Sequence, residues 1–382
     1  MKEVFINRRI LHLRSRGHQC DVHFLGKKYS ASYALLQRIL GVDDAEGLPE
    51  DITKDGIKWT GFIHRFGFPE SLKRRIDPMG FQKRFCQDIA EQILDTVDFS
   101  KYDIIHCHVP HPEGYIGTIL SDRTGLPLVV SCYGSDIHTC PRLDPVVKAM
   151  TVSAISRADK AIFTSNYLLE AAKGLGYVGE NAAVIPVGVD SGNFTILDRQ
   201  ESKKRLGLSG DVTGFVGNLI EVKRADALPE IFRDISAKRD GMEFLIVGDG
   251  GLRAPIAKLM SAFGLKAKFT GAVAPAEVTS YMNAMDVLVL PSRNEGWGCV
   301  VVEAQACGVP VVGSDRGGIP EAVGEGGIIV PDGEGFEERF AKAVVEALNR
   351  TWDREALRNR AKKFDWNETI QREIEVYQSL IK

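Results

Sequence analysis

The chain has 382 residues, 44% of them hydrophobic and 26% charged, a length that calls for two domains rather than one small core. Lys plus Arg number 48 against 51 Asp plus Glu, a net charge of -3, which lacks the basic surplus of a nucleic-acid binder. Seven cysteines (20, 86, 107, 132, 140, 299 and 307) form an odd set without a CxxC pair, which suits a reducing compartment better than a disulfide framework.

The first segment, with Phe5, Arg8, Arg9, Ile10 and Leu13, reads as a helix and lies ahead of the first strand candidate, QCDVHFLG (19–26). Doubly wound domains commonly open on a strand, so a first strand is missing from the pattern. Further strand candidates are 102–108, 126–134, 160–165 and 182–187, then 212–218, 243–250, 267–273, 286–292, 309–314 and 326–331. Their alternation with helical patterns predicts parallel sheets with crossover helices. The polar stretch near 190–210 has no strand pattern. It divides an N-terminal domain (1–190) from a C-terminal one (191–365). At the end, Trp366, Ile370, Ile374, Tyr377 and Ile381 recur at steps of three and four, which predicts a helix over 366–382 with one apolar stripe. No apolar run is long enough to span a bilayer, and the N-terminus lacks the apolar block of a signal peptide. The expectation is a cytoplasmic protein.

Several segments carry candidate chemistry. SLKRRIDPMGFQKRF (71–85) is basic and partly aromatic; it reads as a surface for anionic lipid headgroups or as a solvated helix face. IIHCHVPHPEGY (104–115) and SCYGSDIH (131–138) each follow a strand. Adjacent strand residues face opposite ways, so a metal in HCHVPH is not expected. His108 and Tyr133 become candidates for acceptor contact, and Asp136 for sugar contact or for orienting a neighbouring donor. In FVGNLIEVKRAD (215–226), Lys223 and Arg224 follow a strand end from which a cation reaches a diphosphate. VGDGGLR (247–253) lacks GxGxxG spacing and reads as a tight turn. In EGWGCVVVEAQACGVPVV (295–312), a glycine turn opens a helix whose free N–H groups favour a phosphate. Glu295 before the turn and Glu303 inside the helix then offer carboxylates to sugar and ribose hydroxyls.

The run from Glu295 to Val323 resembles the EGFG…E…G.PVV…GG.PE signature of the GT-B glycosyltransferases of family 4, or group 1. VGNLIEVKR, VGDGGLR, FTGAV, YGSDI and IPVGVD match more weakly, so the resemblance covers most of the chain. It implies an α/β GT-B fold: two facing Rossmann-like, doubly wound domains, the first binding acceptor and the second donor, with the C-terminal helix crossing back to the first. It implies a hexose moved with retention from a nucleotide diphosphate sugar, UDP ahead of GDP, to a polysaccharide or lipid-linked acceptor. No metal and no cofactor are expected. By resemblance, Glu295 holds donor-sugar hydroxyls and Glu303 the ribose. The backbone of Gly296, Trp297, Gly298 and Cys299 meets phosphate and sugar, Lys223 stabilises the diphosphate, and Val273 lies against the base. Lys223, Glu295, Asp136 and Tyr133 are the residues expected to carry the reaction.

This sequence departs from the pattern in four places. Asn218 stands where the family often has arginine, so half of the diphosphate clamp is absent unless Arg224 replaces it. Tyr133 stands where a histidine contacts the donor sugar, and Val187 where asparagine is common. The first strand and its glycine loop are missing. The alternatives these departures raise are a nucleotide-sugar-binding protein that does not transfer and a nucleotide-sugar epimerase. Peripheral contact with an anionic membrane face is a further expected partner.

Overall fold

The computed structural model describes residues 2–29, 51–54, 56–66 and 76–381. Its contacts divide the chain into two compact units. One comprises 1–164, 168–185 and 370–382, the other 165–167 and 186–369.

The first unit opens with helix α1 (Lys2–Ser15), which buries Asn7, Arg9, Ile10 and Leu13. β1 (Val22–Tyr29) follows, then β2 (Asp51–Lys54) and β3 (Ile57–Phe66). β1 pairs in parallel with β3, and β2 pairs with β3 in antiparallel fashion. The β2–β3 pair was not read from the sequence, and its antiparallel member departs from an all-parallel pattern. No strand precedes α1 among the described residues. Of the basic stretch 71–85, residues 71–75 lie outside the described residues; the rest enters α2 (Pro78–Thr96). That helix starts because Asp77 caps the N–H of Gly80 and proline occupies its first turn. Its face of Phe81, Phe85, Cys86, Ile89, Ala90 and Ile93 is buried. It packs with Phe62, Ile116, Leu120 and Met150.

A four-stranded parallel sheet completes this unit, in the order β4 (Ile105–His108), β5 (Leu128–Cys132), β6 (Lys160–Phe163), β7 (Ala182–Val184). α3 (Tyr115–Thr124), α4 (Pro145–Arg157) and α5 (Asn166–Lys173) follow its strands. β5 is buried along its whole length, as a central parallel strand covered on both faces must be. Val109, directly after β4, has φ 79°. A β-branched residue in the left-handed region is strained, and such strain collects at functional loops.

The second unit holds a six-stranded sheet in the order β10 (Ala267–Gly271), β9 (Met242–Val247), β8 (Asp211–Val216), β11 (Val287–Leu290), β12 (Val311–Ser314), β13 (Gly327–Val330). All its pairings are parallel. The order reverses between β8 and β11, and parallel sheets offer their ligand crevice at such a switch point. The helices are α6 (Arg199–Arg205), α7 (Leu228–Ser236), α8 (Arg253–Ala262), α9 (Val278–Asn283), α10 (Cys299–Ala306), α11 (Ile319–Val323), α12 (Phe336–Asn349) and α13 (Arg354–Lys362). Phe215, Phe232, Phe244 and Phe340 are wholly buried in one core with the faces of α7 and α12.

The last helix, α14 (Trp366–Leu380), starts in the second unit. There the N–H of Val189 donates to Phe364 O at 2.8 Å and that of Trp366 to Val189 O at 3.1 Å. From Ile370 onward the helix belongs to the first unit. Trp366, Ile370, Ile374 and Tyr377 are buried, whereas Ile381 is exposed, so the stripe ends at Tyr377. No helix among the described residues is long and apolar enough to cross a membrane.

Candidate functional site

In the second unit the candidate residues gather at the C-terminal ends of β8 and β11. The loop after β8 carries Lys223, whose Nζ donates to Glu295 Oε1 at 2.5 Å. Ser292 Oγ donates to the same oxygen at 2.9 Å. Glu295 is held from behind: the N–H of Gly318 donates to its carbonyl at 2.9 Å. A Cβ on Gly317 would lie 2.1 Å from that carbonyl oxygen, and Gly317 has φ +67°. Only glycine fits a left-handed position so close to another backbone. Gly298, with φ 88°, then turns the chain into α10 without a side-chain cap, which leaves the first N–H groups of the helix for a ligand.

Glu303 lies one turn into α10. Burial pushes its carboxyl up to about 7, so near neutral pH it is poised between two protonation states. Burial, with help from Glu303 and Glu295, pushes the Cys299 thiol up to about 12. A thiol held neutral is not a nucleophile.

Arg224 takes a different place from the one its neighbourhood to Lys223 suggested. It is left-handed at φ 50° and buried. Its Nη2 donates to Asp332 at 2.8 Å, and its guanidinium lies 4.0 Å from the Phe336 ring centroid. The loops beside it are stitched backbone to backbone: Gly217 N–H to Val247 O, Leu219 N–H to Asp249 O and Gly248 N–H to Gly271 O, each 2.9 Å. These bonds explain VGDGG: a Cβ on Gly248 would come within 2.0 Å of Gly217 O. Asn218 stands in this stitched loop, half-buried, and Val273 is half-buried past β10. Two contributors went unread in the sequence. One is Ser292; the other is Arg293, which pairs with Asp226 through two 2.7 Å bonds. The Arg293 guanidinium holds the Asp226 carboxyl below its ordinary range and pins the Lys223 loop to the end of β11.

In the first unit a second group forms at the ends of β4 and β5. Asp136 accepts from Gly134 N–H at 2.6 Å and from Tyr133 N–H at 3.0 Å, so it orients the Tyr133 turn. The Tyr133 hydroxyl lies 2.6 Å from Arg9 Nη1 and 2.5 Å from His108 Nδ1. Arg9 is bidentate to Glu373 of α14, with Nε and Nη2 each 2.8 Å from the carboxylate. His106 bridges Tyr377 and Ser131, both at 2.8 Å. Burial, then the charge of Arg9, lowers His106 to about 3. Burial, then His106 and Arg9, lowers His108 well below the ordinary imidazole range, and burial pushes Tyr133 up to about 12. In the sequence Arg9 stands only as one residue of the first helix and Glu373 is not singled out; nothing local joins them as a pair. Among the described residues no His, Cys, Asp and Glu cluster in a number and arrangement that would hold a metal ion.

Two family models match the chain. The model described as Glycosyltransferase Family 4 matches residues 3–192, and that described as Glycosyl transferases group 1 matches 210–350. The chain belongs to this glycosyltransferase family. It is a GT-B glycosyltransferase, with both Rossmann-like units present. The enzyme is 29% identical over 289 residues to TuaC of Bacillus subtilis, which carries the name of a teichuronic acid biosynthesis glycosyltransferase. That match covers 74% of this chain and 70% of TuaC. It is 30% identical over 305 residues to a D-inositol 3-phosphate glycosyltransferase of Geodermatophilus obscurus, covering 72% of this chain and 66% of the relative. Among solved structures, Anabaena HepE in complex with UDP and glucose shares the fold at TM-score 0.64 and 23% identity, covering 83% of this chain and 86% of HepE. Sucrose-phosphate synthase from Thermosynechococcus elongatus does so at TM-score 0.73 and 18% identity, covering 100% of this chain and 93% of that one.

Proposed function

We propose that this glycosyltransferase moves a hexose from a nucleoside diphosphate sugar, UDP ahead of GDP, to a glycan or lipid-linked acceptor, with retention and without a metal. The second unit binds the donor and the first the acceptor. The observation that carries this reading is the Lys223–Glu295 contact beside the open N-terminus of α10. A cation and free N–H groups meet the diphosphate, and carboxylates meet hydroxyls on either side of it. Lys223 and the helix terminus stabilise the negative charge that grows on the leaving diphosphate. Glu295 orients the sugar and Glu303 the ribose, so the contribution is positioning and charge stabilisation rather than a covalent nucleophile. Retention then follows from attack on the face the leaving phosphate departs from, with that phosphate taking the acceptor's proton. The UDP and glucose in the HepE complex and the polysaccharide pathway in TuaC's name favour this donor and acceptor class.

One rival has an observation of its own. Arg224 is engaged by Asp332 and Asn218 carries no charge, which favours a binder that does not transfer. The test is thermal stabilisation of the purified chain by UDP, GDP, ADP and their sugars in the presence of a chelator, followed by donor consumption. A shift with UDP compounds followed by turnover supports the proposal. A shift without turnover supports the binder, and no shift with any nucleotide overturns both.

A further inference from the structure

Arg9 offers only donors, so its 2.6 Å contact makes the Tyr133 oxygen an acceptor. The phenol's own proton can go to His108 Nδ1, at 2.5 Å, or to Ser131, which also hydrogen-bonds the phenol but is engaged by His106 at 2.8 Å; the short contact to His108 takes it. Nδ1 must then accept, and in a neutral imidazole the ring proton sits on Nε2. Among the described residues, Nε2 of His108 has no hydrogen-bond partner. We infer that His108 is a tautomer-locked hydrogen-bond donor, presenting Nε2–H to a substrate oxygen, and that Arg9, Tyr133 and Glu373 are the residues that set the lock.

Every element packed on His108 agrees with a neutral ring. α1 brings Arg9, whose charge is matched by Glu373 from α14. β4 brings His106, with ring centroids 4.4 Å apart. Beyond β5 stands Tyr133, which Phe5 covers at 5.0 Å between centroids. Tyr377, from α14, is taken up by His106, as is Ser131. A second proton on His108 would place an unmatched charge beside Arg9 in a buried cluster, which desolvation and repulsion both oppose. His108 is therefore not a general base for the acceptor. It donates to an oxygen that carries lone pairs, of a phosphate or of a sugar hydroxyl. The tautomer itself does not depend on the transferase reading; only the identity of that oxygen does.

The experiment is long-range ¹H–¹⁵N spectroscopy of the full chain with ¹⁵N-labelled histidine, with His108 assigned by its loss in His108→Gln and His108→Asn. The expected result is a protonated Nε2 and an unprotonated Nδ1, unchanged from pH 8 to pH 5.5. Protonation at Nδ1, or an imidazolium appearing in that range, overturns the inference without reference to any substrate. Tyr133→Phe is expected to release the lock, giving mixed tautomers and a ring that titrates; a spectrum identical to the wild type refutes the role of Tyr133. Inorganic phosphate, glucose and UDP-glucose are then added in turn. A shift of the Nε2 signal with phosphate assigns a phosphate oxygen, and one with glucose a hydroxyl. No movement with any of the three overturns the substrate contact. Where transfer is measurable, His108→Gln is expected to lower it about tenfold with an unaltered pH profile. Loss of a rising limb near the histidine range would instead mark His108 as a base and overturn the assignment.

Discussion

With Glu303 on the donor ribose, as proposed, donor binding is expected to depend on pH. Burial pushes its carboxyl up to about 7, and the carboxylate offers both oxygens as charged acceptors to two ribose hydroxyls, whereas the acid turns one of them into a donor and binds them more weakly. Binding the donor therefore favours the ionised form and releases a proton below that pKa. The apparent dissociation constant scales as one plus the ratio of protonated to ionised carboxyl. That factor is about 11 at pH 6 and about 1.1 at pH 8, so affinity should rise about tenfold across this interval and level off above it. Folding stability moves the other way. A folded pKa above the unfolded one means that the native state holds the proton more tightly, so Glu303 costs stability as pH rises from about 4.5 to 7. The assay is calorimetric titration with UDP-glucose at several pH values between 6 and 8. Both phosphates of a nucleotide sugar are diesters, fully ionised in that interval, so the ligand adds no titration of its own. Glu303→Gln should bind more weakly and with a flat profile. A flat wild-type profile, a slope of opposite sign, or the same slope in Glu303→Gln would refute the reasoning.

Other residues give equally direct tests. Glu295 pairs with Lys223, a contact that competes with a diphosphate at the proposed site, so Glu295→Gln should bind UDP a few-fold more tightly, about 1 kcal/mol for a partly exposed pair, while transfer falls. Equal or weaker UDP binding by calorimetry would contradict this. Gly317→Ala combines φ +67° with a Cβ 2.1 Å from Glu295 O; about 2–4 kcal/mol of stability should be lost, and an unchanged melting temperature would refute the fit. Arg9→Met leaves Glu373 buried and unpaired and should cost about 3–5 kcal/mol, whereas adding Glu373→Leu should restore most of it. Denaturant unfolding of the single and double variants reads the difference.

The apolar strands of both sheets were legible because parallel strands covered on two faces read as short β-branched runs: LVVSC is wholly buried, as is VLVL. The helix starting at the glycine turn was legible because Gly298 and Cys307-Gly308 mark both its ends. The β2–β3 pair was not legible. Its two deeply buried apolar positions, Ile57 and Phe62, both on β3, are separated by Lys58, Trp59, Thr60 and Gly61, which breaks a simple alternation, and Phe62 packs against α2. Partner choice among charges was also hidden. Lys223 and Arg224 are adjacent in sequence, yet one meets Glu295 and the other Asp332, and only the left-handed turn at Arg224 separates them. Arg9 and Glu373 lie too far apart in sequence for any local pattern to join them.

At the proposed donor site, that left-handed turn bears on how the diphosphate charge would be met. With Asn218 in the position where the family often has arginine, either Arg224 supplies a second cation or Lys223 acts with α10 alone. Arg224 holds a backbone conformation that costs a non-glycine residue about 1–2 kcal/mol. Its side chain is fixed by Asp332 and by stacking on Phe336, both of which a move toward phosphate would break. Replacing it does not strand Asp332, because Arg316 Nη2 also reaches that carboxylate, at 2.6 Å. Arg224→Gly thus removes the strain together with the stack, and a net stability change within about 1 kcal/mol is expected from terms of opposite sign. UDP affinity should be retained in Arg224→Gly and should fall at least tenfold in Lys223→Ala, because a hydrogen bond to a charged group contributes about 1.5–3 kcal/mol. Equal losses in the two variants would return Arg224 to the clamp and show that the Asp332 contact is exchanged for phosphate when the donor binds.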